Sequence, residues 1–266
     1  MKQRLITGIV AGGFFLGLCL LGGIGFNILI LLMALIGFYE FVRMIGLPAF
    51  GAPALLGYLG VFYALFPWEA LGLEMPWNLM RVFGLLMLLF LVVTVITKNE
   101  LPISTVSLLF LGMVYIGIGF SSIVATRNTQ DGQGLFWTFL MLISIWSSDA
   151  GAYFVGRRLG KNKLWPAISP NKTVEGAIGG IVLSVVAAVI FALASGGLLT
   201  IGRAVILGII AAVVGQMGDL IQSAYKRAYG IKDSGTILPG HGGILDRCDS
   251  WIAVFPFIHI LMLLPY

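Results

Sequence analysis

The run LITGIVAGGFFLGLCLL (Leu5–Leu21) is followed, after two glycines, by IGFNILILLMALIGFYEF (Ile24–Phe41). The hydrocarbon core of a bilayer is crossed by about 20 apolar residues in a helix, so each run predicts a membrane-spanning helix. The whole chain has the same character, since 59% of its 266 residues are hydrophobic and only 10% are charged. So little charge does not cover the surface of a soluble domain. The sequence therefore predicts an all-α, polytopic helical membrane protein.

Seven further apolar runs bring the predicted number of spans to nine. The third and ninth are short, which suggests that they are tilted or only partly inserted. The predicted spans are Leu5–Leu21, Ile24–Phe41, Ala54–Trp68, Val82–Thr97, Leu101–Ala125, Leu135–Val155, Gly176–Ala194, Ala204–Ser223 and Ser250–Leu264.

Small residues recur at four-residue spacing within these spans. Examples are Gly8 with Gly12, Gly176 with Gly180, and Gly208 with Ala212. Such spacing is typical of membrane helices whose backbones approach closely. It predicts packing and carries little information about function.

The basic residues predict the orientation of the chain. With a cytoplasmic N-terminus, thirteen lie inside and only Arg81, Arg127 and Arg203 lie outside, as the positive-inside rule requires. The inside set is Lys2, Arg4, Arg43, Lys98, Arg157, Arg158, Lys161, Lys163, Lys172, Lys226, Arg227, Lys232 and Arg247.

Two predicted cytoplasmic loops, 156–175 and 224–249, are polar and hold most of the charge, so we expect a polar site facing the cytoplasm. Six of the eleven acidic residues lie in or beside these loops: Asp149, Glu175, Asp219, Asp233, Asp246 and Asp249. A charged side chain at the centre of a membrane helix costs about 2.5–3.5 kcal/mol, so it requires a cation, a metal ion or water nearby. For any single acid, the simpler explanation is a pair with a neighbouring lysine or arginine at a helix end.

The end of the eighth span has a polar face. Helical spacing places Asp219, Gln222, Ser223 and Lys226 on one side, while Asp246 and Asp249 are three residues apart near the start of the ninth span. Carboxylates from two helix ends suit Mg²⁺, which typically uses one or two carboxylates together with substrate phosphates.

The segment between these spans contains the glycine-rich sequence PGHGG, residues 239–243. Glycines allow backbone N–H groups to close around phosphate oxygens, so Gly242, Gly243 and His241 are candidates for phosphate binding. A flexible turn is the alternative explanation.

The loop 156–175 supplies five basic residues that suit an anionic substrate. A topology signal that contacts anionic lipid explains such a cluster equally simply. The polar residues Ser169, Thr173 and Glu175 favour a binding role, because orientation requires none of them. A P-loop is excluded, since the spacing from Gly156 to Lys161 is one residue short and Asn162 replaces the required Ser or Thr.

The residues 223–249, here called the signature segment, resemble the phosphatidate cytidylyltransferases, also called CDP-diacylglycerol synthases. The resemblance lies in SAYKR (223–227), KDSG (232–235) and LPGHGGILDRCD (238–249), and it extends to Ser169-Pro170 and Lys172-Thr173 upstream. One position departs: Cys248 stands where the family usually has a larger apolar residue or Thr.

The resemblance implies that phosphatidic acid attacks the α-phosphorus of CTP, with one or two metal ions, of which Mg²⁺ is the expected one. The resemblance also suggests a homodimer. Together with the apolar runs and the basic residues, it predicts a multi-pass enzyme of the cell membrane with its active site on the cytoplasmic side. The expected partners are CTP, phosphatidic acid and membrane lipids, and no nucleic acid. Residues 1–130 would then be N-terminal transmembrane helices, and residues 131–266 a catalytic region that contains the signature segment.

The predicted site residues fall into three overlapping groups. Asp219, Asp246 and Asp249 are the expected metal ligands. The expected catalytic residues are Asp219, Asp246, Asp249, Lys226, Arg227, Lys232, Arg247 and His241. The expected substrate-binding residues are Lys172, Ser169, Ser223, Gly242, Gly243, Glu175 and Asp149.

Two other functions remain open at this stage. A transporter would use intramembrane acids to bind a coupling ion, although the acids gather near one face and no inverted repeat is visible. A lipid kinase that phosphorylates a polyprenol from CTP is the second alternative.

Overall fold

The computed structural model describes residues 2–265, with side chains from Ile6 onward. The predicted orientation used Lys2 and Arg4, and the first predicted span begins at Leu5. The side chains of these three residues lie outside the described part of the structure. The helices of this part of the chain are α1 (Lys2–Leu21), α2 (Gly23–Met44), α3 (Ala52–Leu65), α4 (Leu79–Ile96), α5 (Ile103–Arg127), α6 (Gly134–Leu159), α7 (Val174–Ala194), α8 (Ile201–Ala228), α9 (Leu245–Cys248) and α10 (Trp251–Ile260). Two strands, β1 (Lys163–Trp165) and β2 (Ser169–Thr173), lie between α6 and α7, and a 3₁₀ turn covers Glu69–Leu71.

Each of the nine predicted spans coincides with a helix. Among residues 2–265, six helices are long and apolar enough to cross a membrane, namely α2, α4, α5, α6, α7 and α8. The described part of α1, together with α3 and α10, forms shorter apolar helices. The prediction of a polytopic helical membrane protein is therefore confirmed, while the number of nine spans stays a prediction.

The chain divides into two compact units. The first unit contains the residues up to Val124 together with Asp233–Arg247, and the second contains Ala125–Lys232 together with the residues from Cys248 onward. The signature segment thus contributes to both units. The predicted boundary near residue 130 stays a prediction.

In the first unit, one face of α2 is buried against neighbouring helices. Phe38 and Phe41 are almost fully buried, and their rings occupy the space beside Gly57 of α3 and Gly112 of α5. Any side chain at either glycine would overlap a ring, so these small residues allow the phenylalanines to pack.

In the second unit, α6, α7 and α8 pack through close backbone contacts. A Cβ placed on Gly151 of α6 would lie 2.6 Å from the carbonyl oxygen of Gly179 in α7. A Cβ on Gly208 of α8 would lie 2.7 Å from the Cα of Val185. The small-residue prediction is confirmed at Gly208, whereas it is wrong for Gly12, where no described atom lies within 4 Å of such a Cβ.

The loop predicted over residues 156–175 is shorter and more ordered than expected. α6 continues to Leu159, so Arg157 and Arg158 belong to its last turn. The antiparallel hairpin of β1 and β2, which the all-α prediction did not include, pairs Lys163 with Thr173. The side chain of Thr173 then accepts a hydrogen bond from the N–H of Gly176 and caps α7.

The contact between α6 and α7 can be tested at Gly151. Gly151→Val should destabilise the folded protein by about 1–3 kcal/mol, because the added carbons overlap the backbone of Gly179. The thermal unfolding midpoint of the purified protein in detergent measures the change. Gly84→Ala, on α4 with no described atom within 4 Å of the new Cβ, is the control and should leave the midpoint unchanged or higher. Equal midpoints for Gly151→Val and the wild type would contradict the packing.

Candidate functional site

A lysine of the hairpin forms an ion pair with an aspartate of α8. Lys172 Nζ lies 2.6 Å from Asp219 Oδ2, and the same ammonium donates to the carbonyl oxygen of Gln216 at 3.5 Å. Both side chains are partly exposed, Lys172 by 24% and Asp219 by 36%. The hairpin therefore brings the predicted residue Lys172 to the predicted residue Asp219.

Asp219 has a second partner on its own helix. The hydroxyl of Ser223, one turn later, donates to Asp219 Oδ1 at 3.3 Å. Four-residue spacing on a helix allows this contact, as the sequence predicted. Lys172 and Ser223 thus hold one oxygen each of the Asp219 carboxylate.

The segment before α10 packs directly on α8. Gly218 allows this approach, because a Cβ there would lie 2.5 Å from the carbonyl oxygen of Asp249. The hydroxyl of Ser250 donates to the carbonyl oxygen of Gly215 at 3.0 Å, and the N–H of Ser250 donates to Asp249 Oδ1 at 2.7 Å. This packing places Asp249 beside the polar end of α8.

Asp249 interacts electrostatically with several members of this site. Burial is the largest cause that raises the pKa of Asp249 to about 7, and the charge of Asp219 adds to it. The charge of Lys226 acts in the opposite direction, and that of Asp149 makes a smaller contribution to the increase. Three predicted carboxylates and two predicted lysines therefore share one electrostatic environment, here called the carboxylate site (Asp149, Asp219, Asp249, Lys172 and Lys226).

The oxygen donors of this site suit a divalent cation whose remaining ligands would be substrate phosphates. Asp219 and Asp249 supply hard carboxylate oxygens, and the raised pKa of Asp249 shows that its negative charge lacks sufficient compensation. Among residues 2–265, no group of three or more His, Cys, Asp or Glu side chains could by itself hold a metal ion. An open arrangement of two carboxylates is how Mg²⁺ is typically bound beside phosphates.

The remaining predicted residues of the second unit have different surroundings. Glu175 accepts hydrogen bonds from the backbone N–H groups of Lys161 and Asn162, so it closes the connection between α6 and the hairpin. Arg227 Nε donates to the carbonyl oxygen of Ile168 at 3.5 Å. Ser169 lies in β2, and Lys232 is exposed.

The predicted residues of the first unit lie on the loop Ser234–Leu245 and just after it; we call Ser234–Leu245 the anchored loop. Asp246 Oδ2 accepts hydrogen bonds from the N–H of Ser234 at 2.8 Å and of Gly243 at 2.9 Å. Arg247 Nε donates to the carbonyl oxygen of His241 at 2.9 Å. The N–H of Gly243, a candidate for phosphate binding, therefore donates to the carboxylate of Asp246.

Two polar residues were missed as site candidates. Glu40 lies near the end of an apolar run, and it is buried with its carboxylate accepting hydrogen bonds from the anchored loop. Gln222 is also buried, and neither of its amide atoms has a hydrogen-bond partner among the described residues. The sequence alone indicated that Glu40 is unusual, because an acid inside an apolar run requires a partner. Its partner Ser234 is 194 residues away in the sequence.

The environment of Asp249 predicts a dependence of stability on pH. Its pKa is near 3.8 when exposed and about 7 in the folded protein, so the folded protein binds more protons between these values and loses stability as the pH rises through them. Asparagine does not titrate, so Asp249→Asn should be more stable than the wild type at pH 8 when a chelator removes divalent cations. The difference in stability between the two proteins should disappear near pH 4. Thermal unfolding at both pH values measures this. A difference that is the same at both would contradict the assigned environment.

The sequence is similar to known proteins along almost its whole length. The sequence profile of the cytidylyltransferase family matches residues 2–264. A phosphatidate cytidylyltransferase of Bacillus subtilis is 44% identical over 269 residues, which cover 99% of this chain and 98% of that protein. Phosphatidate cytidylyltransferases of Staphylococcus haemolyticus and Staphylococcus aureus are each 37% identical, with 99% of both chains covered. The chain therefore belongs to the cytidylyltransferase family.

Proposed function

We propose that this protein is a membrane nucleotidyltransferase that transfers CMP from CTP to phosphatidic acid. A phosphate oxygen of phosphatidic acid attacks the α-phosphorus of CTP, and the bond between the α-phosphorus and the bridging oxygen to the β-phosphate breaks. The products are CDP-diacylglycerol and pyrophosphate. The relatives that match over almost the whole chain bear the name of this activity.

The carboxylate site is the observation that carries the proposal within the structure. Residues from α6, β2, α8 and the segment before α10 contribute acids and lysines to one partly exposed place. A triphosphate and a lipid phosphate are both anionic, so their reaction requires cations that hold them together and neutralise the charge of the transition state.

The lysines supply part of that positive charge. Lys172 holds Asp219 in the free protein, and we propose that its ammonium turns to a phosphate oxygen when CTP binds. Lys226 lies one turn from Gln222 on α8 and offsets part of the negative charge of Asp249. Neither residue has to remove a proton, because the attacking phosphate is already ionised near neutral pH.

A divalent cation fits the proposed site. Asp219 and Asp249 would hold Mg²⁺ together with substrate phosphates, whereas a part for Asp246 stays a prediction of the sequence, since its Oδ2 already accepts two backbone N–H groups. When bound, Mg²⁺ would neutralise the negative charge that develops on phosphate oxygens. The cation would also compensate the negative charge that burial and the neighbouring acids make unfavourable at Asp249.

The basic residues Arg227, Lys232 and Arg247, with His241, are proposed to contact the phosphates. Ser169, Ser223, Glu175, Gly242, Gly243 and Asp149 are proposed to shape the substrate site. For Glu175 and Gly243 the contacts within the chain support an indirect role, since the carboxylate and the N–H already have partners.

The orientation and the assembly are also part of the proposal. The distribution of basic residues supports a site that faces the cytoplasm in a multi-pass protein of the cell membrane. A homodimer among membrane lipids is proposed from the family resemblance.

Labelled CTP tests the reaction directly. The purified protein in lipid, with phosphatidic acid and Mg²⁺, should transfer the α-phosphate of CTP into the lipid fraction and release pyrophosphate. Transfer of the γ-phosphate to a polyprenol would instead identify a lipid kinase. Incorporation of neither label would contradict an enzyme that uses CTP and would favour a transporter.

Neutralising Asp219 tests the proposed site directly. Asp219→Asn should lower turnover at least about 100-fold, because the residue loses the charge that binds a cation while the helix keeps its shape. Initial rates of lipid labelling measure the effect, and a cooperative thermal unfolding transition shows that the variant is folded. Glu74→Gln, which neutralises an exposed acid of the first unit, is the control and should keep full activity. Near-normal turnover of Asp219→Asn would contradict the assignment.

A further inference from the structure

Glu40 is a buried acid at an unexpected place. It lies in α2, one turn before the helix ends at Met44, and only 2% of its surface is exposed. A carboxylate within an apolar helix is costly unless hydrogen-bond donors surround it. The residues that supply these donors indicate its role.

The donors come from both ends of the anchored loop. The N–H of Ile244 donates to Glu40 Oε1 at 2.9 Å. The N–H of Leu245 and the hydroxyl of Ser234 donate to Glu40 Oε2 at 3.0 Å and 2.9 Å. One carboxylate therefore joins the first and last residues of the loop, and it satisfies two backbone N–H groups where α9 begins.

Two glycines of the loop are required by this contact. A Cβ on Gly235 would lie 2.6 Å from Glu40 Oε1, and a Cβ on Gly243 would overlap both carboxylate oxygens. Glycine at these positions therefore allows the backbone to wrap around Glu40. Glu40 accounts for these two glycines independently of any phosphate that residues 239–243 bind.

The anchored loop leads into the residues that the reaction is proposed to use. Asp246 follows Leu245 directly, and its Oδ2 accepts N–H groups from Ser234 and Gly243, each of which also packs against Glu40. Arg247 is held to the carbonyl oxygen of His241. A change at Glu40 would therefore alter the position of Asp246 through contacts on both sides.

We propose that Glu40 is a positioning residue, which fixes the anchored loop so that Asp246 and Arg247 are ready for substrate. The role of the loop in turnover rests on the proposed function, whereas the anchoring itself rests on geometry alone. Glu40 acts through other residues and does not contact the reacting atoms.

Glu40→Gln is the main test. Glutamine keeps the size of the side chain but replaces one acceptor oxygen with an amide group, so at least one backbone N–H of the loop loses its partner. We expect kcat per folded molecule to fall about 10-fold to 100-fold, with a higher KM for CTP, because a displaced loop misplaces the groups that it carries. Glu40→Ala should lose more activity than Glu40→Gln.

A second measurement does not depend on activity. Hydrogen–deuterium exchange should be faster in Glu40→Gln over residues 234–247, since the N–H groups of Ile244 and Leu245 lose a charged acceptor. Glu100→Gln, which changes an exposed acid of the same unit, is the matched control and should change neither exchange nor turnover.

The outcomes separate this inference from the proposed function. If the wild type transfers no CMP, the proposed function fails, and the exchange data alone decide the anchoring. If the wild type is active and Glu40→Gln has normal kcat, normal KM and normal exchange, the inference is overturned. If Glu40→Gln does not fold, Ser234→Ala removes a single donor and should still raise the KM for CTP; an unchanged KM in that variant would also overturn the inference.

Discussion

The ion pair between Lys172 and Asp219 links the hairpin to α8, and the proposed site of the second unit is built around it. Asp219 lies on an apolar helix, where an uncompensated carboxylate is unfavourable. The hairpin between α6 and α7 compensates this charge, because it places Lys172 beside Asp219. The same lysine is then available to an anionic substrate, so the contact that stabilises the free protein also belongs to the proposed site.

The first unit meets the same constraint with a different solution. Glu40 is compensated by a hydroxyl and two backbone N–H groups, with no basic side chain among these partners. Hydrogen bonds to a carboxylate are stronger than those between neutral groups, so the carboxylate orders the loop that surrounds it. A glycine-rich sequence that resembles a phosphate-binding loop is thus partly explained by a carboxylate within the chain.

The environment of Asp249 bears on the proposed binding of a cation. Burial and neighbouring acids raise its pKa to about 7, so its ionised form is unfavourable without a cation. A structural role would be served better by a neutral side chain of similar size. The presence of three interacting acids therefore supports the proposed role in binding a cation together with anionic substrates.

Composition and apolar run length determined the class of this protein, because a bilayer requires long helices with satisfied backbones and little charge. The residues around Asp219 were also predictable, since helical spacing alone places Ser223 one turn away. Only the tertiary structure decided that Lys172 meets Asp219, that residues 163–173 form a hairpin, and that Glu40 holds the anchored loop. The physical reason is that local periodicity assigns a residue to a face of its own helix, whereas the partner of a buried charge is chosen by packing between segments far apart in the chain.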